Sequence, residues 1–294
     1  MLARIGFALT IAFPLLSCAS PDRLADGASR KAPINAPVTS VAEGPVVPLG
    51  ASHAHVTLSY EVKGKAKGFS YSTGGTLTWR QDGNTYEADL KIGGFPLGGF
   101  QRTSTGLMTP EGLAPLKFVD RLRSKERSAV FDREAGVIRY SAKTPDAVVQ
   151  PGVQDQLSVS LQLAGLLNVR EQPVQGGLLS VPVSSPTGVE IWRFEIGAIE
   201  ALHLPVGEVS ARRLVRLSRK ANDNTFEVWL APSLGREPVR MRLTEPNGDF
   251  LDHLLKVLSD VAPERVGTAN AVVDSSPGGL EQPEDVQGAR RGER

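Results

Sequence analysis

The chain has 294 residues, of which 40% are hydrophobic and 6% aromatic, enough for one sizeable core. Lys plus Arg (33) nearly balance Asp plus Glu (32), so bulk charge predicts no nucleic-acid partner. The single cysteine, Cys18, excludes an internal disulfide framework and a Cys-based zinc site.

The first 18 residues have the layout of a bacterial lipoprotein signal peptide. Arg4 precedes an apolar run over residues 5–16, which is shorter than the roughly 20 residues of a membrane-spanning helix. The run ends in Leu15-Leu16-Ser17-Cys18, which predicts cleavage before Cys18 and acylation of its thiol. Simple secretion after cleavage behind Ala19 and a retained anchor are the alternatives, and all three place the protein outside the cytoplasm.

The predicted mature chain begins Cys18-Ala19-Ser20, without the Asp after cysteine that holds many lipoproteins in the inner membrane. We therefore expect a lipoprotein on the periplasmic side of the cell envelope, anchored to the outer membrane, with the inner membrane as the alternative. Composition further predicts a flexible tether over 19–52, a β-rich domain over 53–260 and a disordered tail over 261–294.

The domain reads mainly as short strands. Residues 55–62 alternate apolar and polar, and residues 77–80 and 86–92 flank the hairpin signal Asp82-Gly83. Further strands are predicted over 116–123, 128–132, 137–141, 178–183, 189–196, 209–217, 225–230 and 239–244. Residues 250–258 fit a strand or a short helix.

One strongly helical segment interrupts the strands, over residues 153–167. Its apolar side chains cover most of the helical circumference, so the helix needs burial on more than one side. Asp155 is placed to accept hydrogen bonds from the first free backbone N–H groups. We expect a curved antiparallel sheet or partly open β-barrel of about a dozen strands, filled by this buried helix.

The exported region carries none of the familiar hydrolase motifs, and its four histidines form no metal-ligand motif. The sequence therefore predicts no catalytic residue, no metal and no cofactor. A pair of catalytic carboxylates has no fixed spacing in sequence, so an envelope hydrolase stays open as an alternative.

Basic side chains recur in two places of the predicted sheet. They are Arg121, Arg123, Lys125 and Arg127 on one extended segment, and Arg240 and Arg242 on a later strand. Like charges on one face repel, so such a face needs acidic neighbours across the ladder or an anionic ligand. Candidate neighbours are Glu61, Glu87, Asp89 and Glu227; candidate ligands are lipid phosphates and other envelope polyanions.

Four stretches together resemble a bacterial family, the domain of unknown function 3108, over roughly residues 55–257. They are Thr109-Pro-Glu-Gly-Leu-Ala-Pro-Leu-Lys-Phe118, Ala129-Val-Phe-Asp132 with Gly136-Val-Ile-Arg-Tyr140, Gln154-Asp155 with Leu157-Ser158, and Glu227-Val-Trp-Leu-Ala-Pro232 with Pro238-Val-Arg240 and Gly248-Asp249. The resemblance implies an exported, β-rich envelope protein and supplies no catalytic residue.

The function predicted from these features is a non-catalytic binding or carrier module for an amphiphilic or anionic envelope component. A structural or assembly protein that binds another envelope protein is the first alternative. The predicted partners are the membrane, reached through the lipid anchor, and a lipid, polyanion or protein of the envelope.

Overall fold

The computed structural model describes residues 54–94, 99–169, 175–220, 222–235 and 237–260; the predicted signal peptide, Cys18, tether and tail lie outside them. The described residues form fifteen strands, one α-helix and one short 3₁₀ helix (Pro232–Leu234). The elements are β1 (His55–Ala66), β2 (Phe69–Asp82), β3 (Thr85–Ile92), β4 (Phe100–Thr109), β5 (Gly112–Leu122), β6 (Lys125–Asp132), β7 (Val137–Tyr140), β8 (Ala147–Val148), β9 (Gln154–Asp155), α1 (Ser158–Val169), β10 (Leu178–Ser185), β11 (Gly188–Leu204), β12 (Gly207–Arg216), β13 (Thr225–Ala231), β14 (Glu237–Thr244) and β15 (Phe250–Asp260). Within this part of the chain, neither helix is long and apolar enough to cross a membrane.

All strands belong to one sheet with the order β8-β7-β6-β5-β4-β3-β2-β1-β15-β14-β13-β12-β11-β10-β9. Neighbouring strands are antiparallel except β9 and β10, which are parallel. The first strand pairs with the last, so the β1–β15 ladder joins the two halves. The outermost strands, β8 and β9, have two residues each and leave the ladder open. The predicted open, curved sheet is therefore confirmed.

Two parts of the sheet were not specified by sequence pattern. Residues 250–260 form β15, because β1 and β14 offer ladder partners on both sides. The first half of β2 pairs with β1 across a turn at Lys67 and Gly68, a hairpin that the Ser-, Thr- and Gly-rich sequence does not predict. Both strands form because neighbouring strands satisfy the hydrogen bonds of their backbone, although their own residues do not alternate clearly between apolar and polar.

Helix α1 fills the inside of the sheet. It begins at Ser158, later than predicted, because Gln154 and Asp155 pair with β10 as β9. Asp155 Oδ1 accepts hydrogen bonds from the N–H groups of Leu157 and Ser158, both at 2.8 Å, which confirms the predicted cap. Side chains 157–165 and 167 are buried and Leu166 is half-buried. The predicted burial on several sides is therefore confirmed.

Buried polar groups join β9, at one edge of the sheet, to β4 and β5. Ser104 Oγ donates to Asp155 Oδ2 at 2.5 Å, and the Tyr86 hydroxyl lies 3.0 Å from Ser104 Oγ. Gln154 Nε2 donates to the Leu113 carbonyl at 2.7 Å. We call this cluster the polar seam; it comprises Tyr86, Ser104, Gln154, Asp155, Ser158 and Gln162, all buried. It joins strands that share no backbone ladder.

Candidate functional site: a basic cleft beside the β5–β6 turn

The prediction that Arg121, Arg123, Lys125 and Arg127 follow one strand is wrong. A two-residue turn of Arg123 and Ser124 separates β5 from β6. Arg123 adopts the left-handed conformation, with φ of 56°. Hairpin turns usually place Gly, Asn or Asp at such a position, so the sequence carries no turn signal there.

The hairpin divides these side chains between the two faces of the sheet. Asp120 lies directly opposite Arg127, and it shares its face with the buried Phe118 two residues earlier. Arg127 therefore points to the inner face, and Lys125 shares that face by alternation along β6. Arg121 points to the outer face.

On the outer face, Arg121 belongs to a cross-strand row. Its Nε atom donates to Glu126 Oε2 at 3.1 Å, and its Nη1 atom donates to Gln101 Oε1 at 3.4 Å. Gln101 Nε2 donates in turn to both oxygens of Asp89, at 3.0 and 3.1 Å, and Lys91 Nζ lies 2.8 Å from Asp89 Oδ2. The row fixes the guanidinium of Arg121, with Glu126 rather than the expected acids as its direct partner.

Positive charge is in excess around the turn. Arg102 on the inner face pairs with Asp120 at 3.1 Å. Across the described part of the chain, neither Lys125 nor Arg127 has a carboxylate at ion-pair distance. Both side chains are exposed, as is Arg123. The β5–β6 turn therefore presents cations that its own carboxylates do not balance.

A cleft of about 240 Å³ opens beside this turn. Its lining combines cationic, polar and apolar groups: Lys91, Ile92, Gly99, Phe100, Gln101, Arg121 and Arg123. The Arg123 N–H donates to the Gly99 carbonyl at 2.9 Å, which holds the turn against the start of β4. Ile92 is buried and Phe100 packs on the core. The cleft can therefore bind an anionic group that carries an apolar stem.

The other two predicted ligands, Arg240 and Arg242, lie on the outer face of β14, which five strands separate from β5. Arg240 forms a two-pronged hydrogen bond to Asp252, at 2.9 and 2.7 Å, and Arg242 Nη1 lies 3.3 Å from the same carboxylate. The Asp252 hydrogen bond raises the pKa of Arg240. The guanidinium of Arg240 also stacks 4.5 Å from the Trp229 ring centroid. Both arginines are therefore engaged within the sheet.

A larger cleft, of about 710 Å³, lies near the β2–β3 turn. Arg80 lines it together with the carboxylates of Asp82 and Glu87, so it has no surplus of positive charge. In the described residues no three His, Cys, Asp or Glu side chains are placed to hold a metal ion. The smaller cleft combines charge and apolar surface better, and it is the candidate site.

Of the lining residues of this cleft, sequence reasoning found only Arg121 and Arg123; among those it missed are Lys91, Phe100 and Gln101. They flank the glycine-rich segment 93–99, which the sequence marks only as a flexible connection and of which residues 95–98 lie outside the description. A cation before this segment and an aromatic after it were the available signal. Antiparallel pairing of β3 with β4 is what brings both sides together.

The fold and the cleft define a class: an open, curved antiparallel sheet filled by a helix, with a basic cleft where β3, β4 and β5 meet at one end of the strands. The chain belongs to the family of proteins of unknown function DUF3108, whose model matches residues 58–254. This confirms the resemblance found in the sequence. No curated protein matches the chain.

The solved structures that the chain matches have low sequence identity to it. A β-barrel-like protein of the DUF1849 family from Brucella abortus is 11% identical, with 71% of this chain and 99% of that chain covered and a TM-score of 0.48. A DUF1329 family protein from Desulfovibrio piger is 9% identical (75% and 90% covered, TM-score 0.29). A domain assigned to outer-membrane lipoprotein sorting from Vibrio parahaemolyticus is 8% identical (70% and 85% covered, TM-score 0.27). These values transfer no activity to this chain.

Proposed function

We propose that this chain is an exported lipoprotein of the bacterial cell envelope that binds the anionic head group of an amphiphilic envelope component. The β5–β6 cleft carries the proposal, because Lys91, Arg121 and Arg123 border it beside the apolar Ile92 and Phe100. Guanidinium and ammonium groups donate charge-assisted hydrogen bonds to anionic oxygens. Phe100 covers the methylene groups next to the head.

The size of the cleft limits what it holds. Pockets that enclose a whole drug-sized ligand measure about 300–1,000 Å³, whereas this cleft measures about 240 Å³. Helix α1 occupies the inside of the sheet, where its side chains are buried. The proposed ligand is therefore held by its head, and its acyl chains stay outside the protein or in a membrane.

Binding of a monomeric short-chain phosphatidylglycerol, measured by calorimetry, tests the proposal. The protein is the full mature chain with Cys18→Ser, so that no attached lipid competes. Short-chain phosphatidylcholine serves as the probe with a neutral head. We expect the anionic lipid to bind and the neutral lipid to bind at least tenfold more weakly, because each lost charge-assisted hydrogen bond weakens binding by about 1.5–3 kcal/mol.

The matched variants separate the cleft from general positive charge. Arg121→Gln with Arg123→Asn should raise Kd at least tenfold; Asn is chosen because it tolerates the left-handed conformation. Arg80→Gln with Arg193→Gln removes two exposed arginines elsewhere and should leave Kd unchanged. An equal loss of affinity in both double variants, or no lipid binding by the parent protein, would contradict the assignment of head-group binding to the cleft.

The proposed localisation is tested by a separate experiment. The sequence Leu15-Leu16-Ser17-Cys18 motivates the proposal of acylation at Cys18, and with it a tethered domain at the outer membrane. Metabolic labelling with an alkyne fatty acid should mark the parent protein and not Cys18→Ser. Labelling of both proteins would show that the lipid is attached elsewhere or not specifically.

A structural or assembly protein is the second candidate, favoured by two observations. Helix α1 fills the interior, and three adjacent strands expose apolar side chains: Leu107 on β4, Leu116 on β5 and Val130 on β6. If this surface binds one envelope protein, Leu116→Ser with Val130→Ser should abolish a cross-link to that protein. The cleft double variant should leave the same cross-link intact.

A further inference from the structure

The β1–β2 turn presents an aromatic ring to solvent. Phe69 follows the turn residues Lys67 and Gly68 and is 69% exposed. Both turn residues have positive φ, 52° and 84°, as in the tight two-residue turns that fit the twist of a hairpin. Phe69 therefore stands at the tip of a regular hairpin and not on an irregular loop.

This tip is held in place by its neighbours. The Lys67 N–H donates to Asp249 Oδ2 at 2.9 Å, which joins the tip to the adjacent β14–β15 turn. The Tyr71 ring lies across Gly64, where an added Cβ atom would come within 2.2 Å of the ring. A partner of this tip therefore meets a preformed surface and orders little on binding.

The hairpin reaches past the next strand on one side. The last residue of β3, Ile92, pairs with Gly75, and residues 69–74 of β2 continue beyond it. At about 3.3 Å per residue this extension is roughly 20 Å long. Phe69 lies at its far end, where no β3 residue covers it.

Phe69 pairs with Ala66 and so belongs to the inner face of the hairpin, while cations lie on its outer face and in the turn. Lys63 and Lys65 alternate on the outer face of β1, and Lys67 lies in the turn; all three are exposed. The carboxylates nearby are Glu61, 3.6 Å from the Lys63 ammonium, and Asp249, which accepts from the turn backbone. Glu245 also lies in the adjacent turn.

The β5–β6 turn adds to this charge. In an antiparallel meander, alternate turns lie at the same end of the sheet, so the β1–β2 and β5–β6 turns share one end. The second turn carries the unbalanced cations Lys125 and Arg127. This end of the sheet therefore combines an apolar tip with an excess of positive charge.

We propose that the β1–β2 turn docks on an anionic lipid surface, with Phe69 in the interface and Lys65 and Lys67 at the phosphates. An aromatic ring suits the boundary between head groups and acyl chains, and lysine stems reach along it with the ammonium in water. Each basic residue near an anionic membrane adds about 1 kcal/mol of attraction, roughly fivefold in binding. This docking is separate from head-group binding in the cleft and does not depend on it.

Vesicle co-sedimentation of the full mature chain with Cys18→Ser tests the proposal. Vesicles of phosphatidylcholine with phosphatidylglycerol should bind the protein, vesicles of phosphatidylcholine alone should bind it poorly, and raised salt should weaken the binding. Phe69→Ser should lower the partition coefficient about tenfold, since burying a phenyl ring stabilises by about 1.5–3 kcal/mol at most. Lys65→Gln with Lys67→Asn should lower it about tenfold or more.

Val148→Ser is the matched apolar control, because Val148 on the outermost strand β8 is 71% exposed. It should leave vesicle binding unchanged, and thermal melts should show all variants folded. Absence of binding by the parent protein, or binding that Phe69→Ser leaves intact, overturns the proposal. Loss of vesicle binding in the Arg121→Gln, Arg123→Asn variant alone would assign the membrane contact to the cleft instead.

The two proposals can fail separately. Phe69→Ser should keep its affinity for monomeric short-chain phosphatidylglycerol, so failure of membrane docking and failure of the head-group proposal are distinguishable.

Discussion

The polar seam and the β5–β6 cleft are both polar clusters on β-strands, yet they differ in their exposure to solvent and in their balance of charge. In the seam, Ser104, Asp155 and Ser158 are fully buried and bonded to one another. In the cleft, Arg121 and Arg123 are exposed, and the neighbouring cations exceed the carboxylates. The hydroxyl of Ser104 and the carboxylate of Asp155 bond to each other where neither is exposed to solvent.

The difference shows which observation marks a binding site in this fold. Burial raises the pKa of Asp155, and the bonds from Ser104 and from the backbone N–H groups of Ser158 and Leu157 oppose that shift. Every contact of this carboxylate serves the attachment of helix α1 and β9 to the rest of the sheet. The cations of the cleft, by contrast, bond to neighbours but stay exposed to solvent. Accessible charge therefore separates the candidate site from the structural cluster.

The largest expected effect is at the seam. Asp155→Ala leaves the Ser104 hydroxyl and the Leu157 and Ser158 N–H groups without their acceptor, and each unsatisfied buried donor costs about 1–3 kcal/mol. We expect a loss of about 3–5 kcal/mol in the free energy of unfolding, measured by denaturant melts. Glu87→Ala, at an exposed carboxylate, is the control and should change stability little. Near-equal stability of the two variants would mean that the seam does not hold the sheet ends together.

Helix packing gives the next largest effect. Leu161 is fully buried inside the sheet, and truncating such a leucine costs about 2–5 kcal/mol from lost transfer energy and the remaining cavity. Leu161→Ala should therefore lower the free energy of unfolding by more than about 2 kcal/mol. Leu178→Ala, at a leucine that is 47% exposed, should cost far less. A neutral Leu161→Ala would mean that the helix is a movable lid and not a fixed plug.

A pH effect is expected at His253, which is buried against Tyr60 with its Nε2 atom unpaired. Burial lowers its pKa from the usual 6.5 to about 4. Between these values the unfolded chain holds the proton and the folded protein does not, so stability falls as pH drops from 6.5 to 4. The total loss is about 3 kcal/mol.

His253→Phe should remove this pH dependence, while His203→Gln, at an exposed histidine, should retain it. The raised pKa of Asp155 makes its own contribution to the free energy of unfolding increase as the pH falls, opposite to that of His253. This contribution is common to the parent protein and both histidine variants. The comparison is therefore the difference in unfolding free energy between variant and parent at each pH. A difference that stays constant from pH 7 to pH 4 would argue against a buried neutral histidine.

The smallest stability effect is expected in the cleft. Arg121 is exposed and its ion pair with Glu126 is open to solvent, and such pairs contribute about 0–1 kcal/mol. Arg121→Gln should therefore change the free energy of unfolding by no more than about 1 kcal/mol while it weakens lipid binding. A large destabilisation would show that Arg121, like the residues of the seam, has mainly a structural role. Thermal melts and calorimetry on the same sample decide this.

Local pattern by itself determined the class of fold. The alternation over 55–62 became β1, and the apolar circumference of 153–167 required burial in the helix that fills the sheet. Asp155 was recognisable as a cap because a carboxylate two or three residues before free N–H groups can bond them in any context. These features depend on neighbours in sequence, so the sequence contains them.

Only the tertiary structure decided the rest. Arg123 turns the chain in a conformation unfavourable for its side chain, and the bond to Gly99 that holds this turn comes from another strand. The seam joins Ser104 to Asp155 across 51 positions, and the β1–β2 hairpin forms from residues with no apolar alternation. Cleft, seam and exposed tip all depend on how strands pair and pack, and the alternation of residues along the sequence does not specify that pairing.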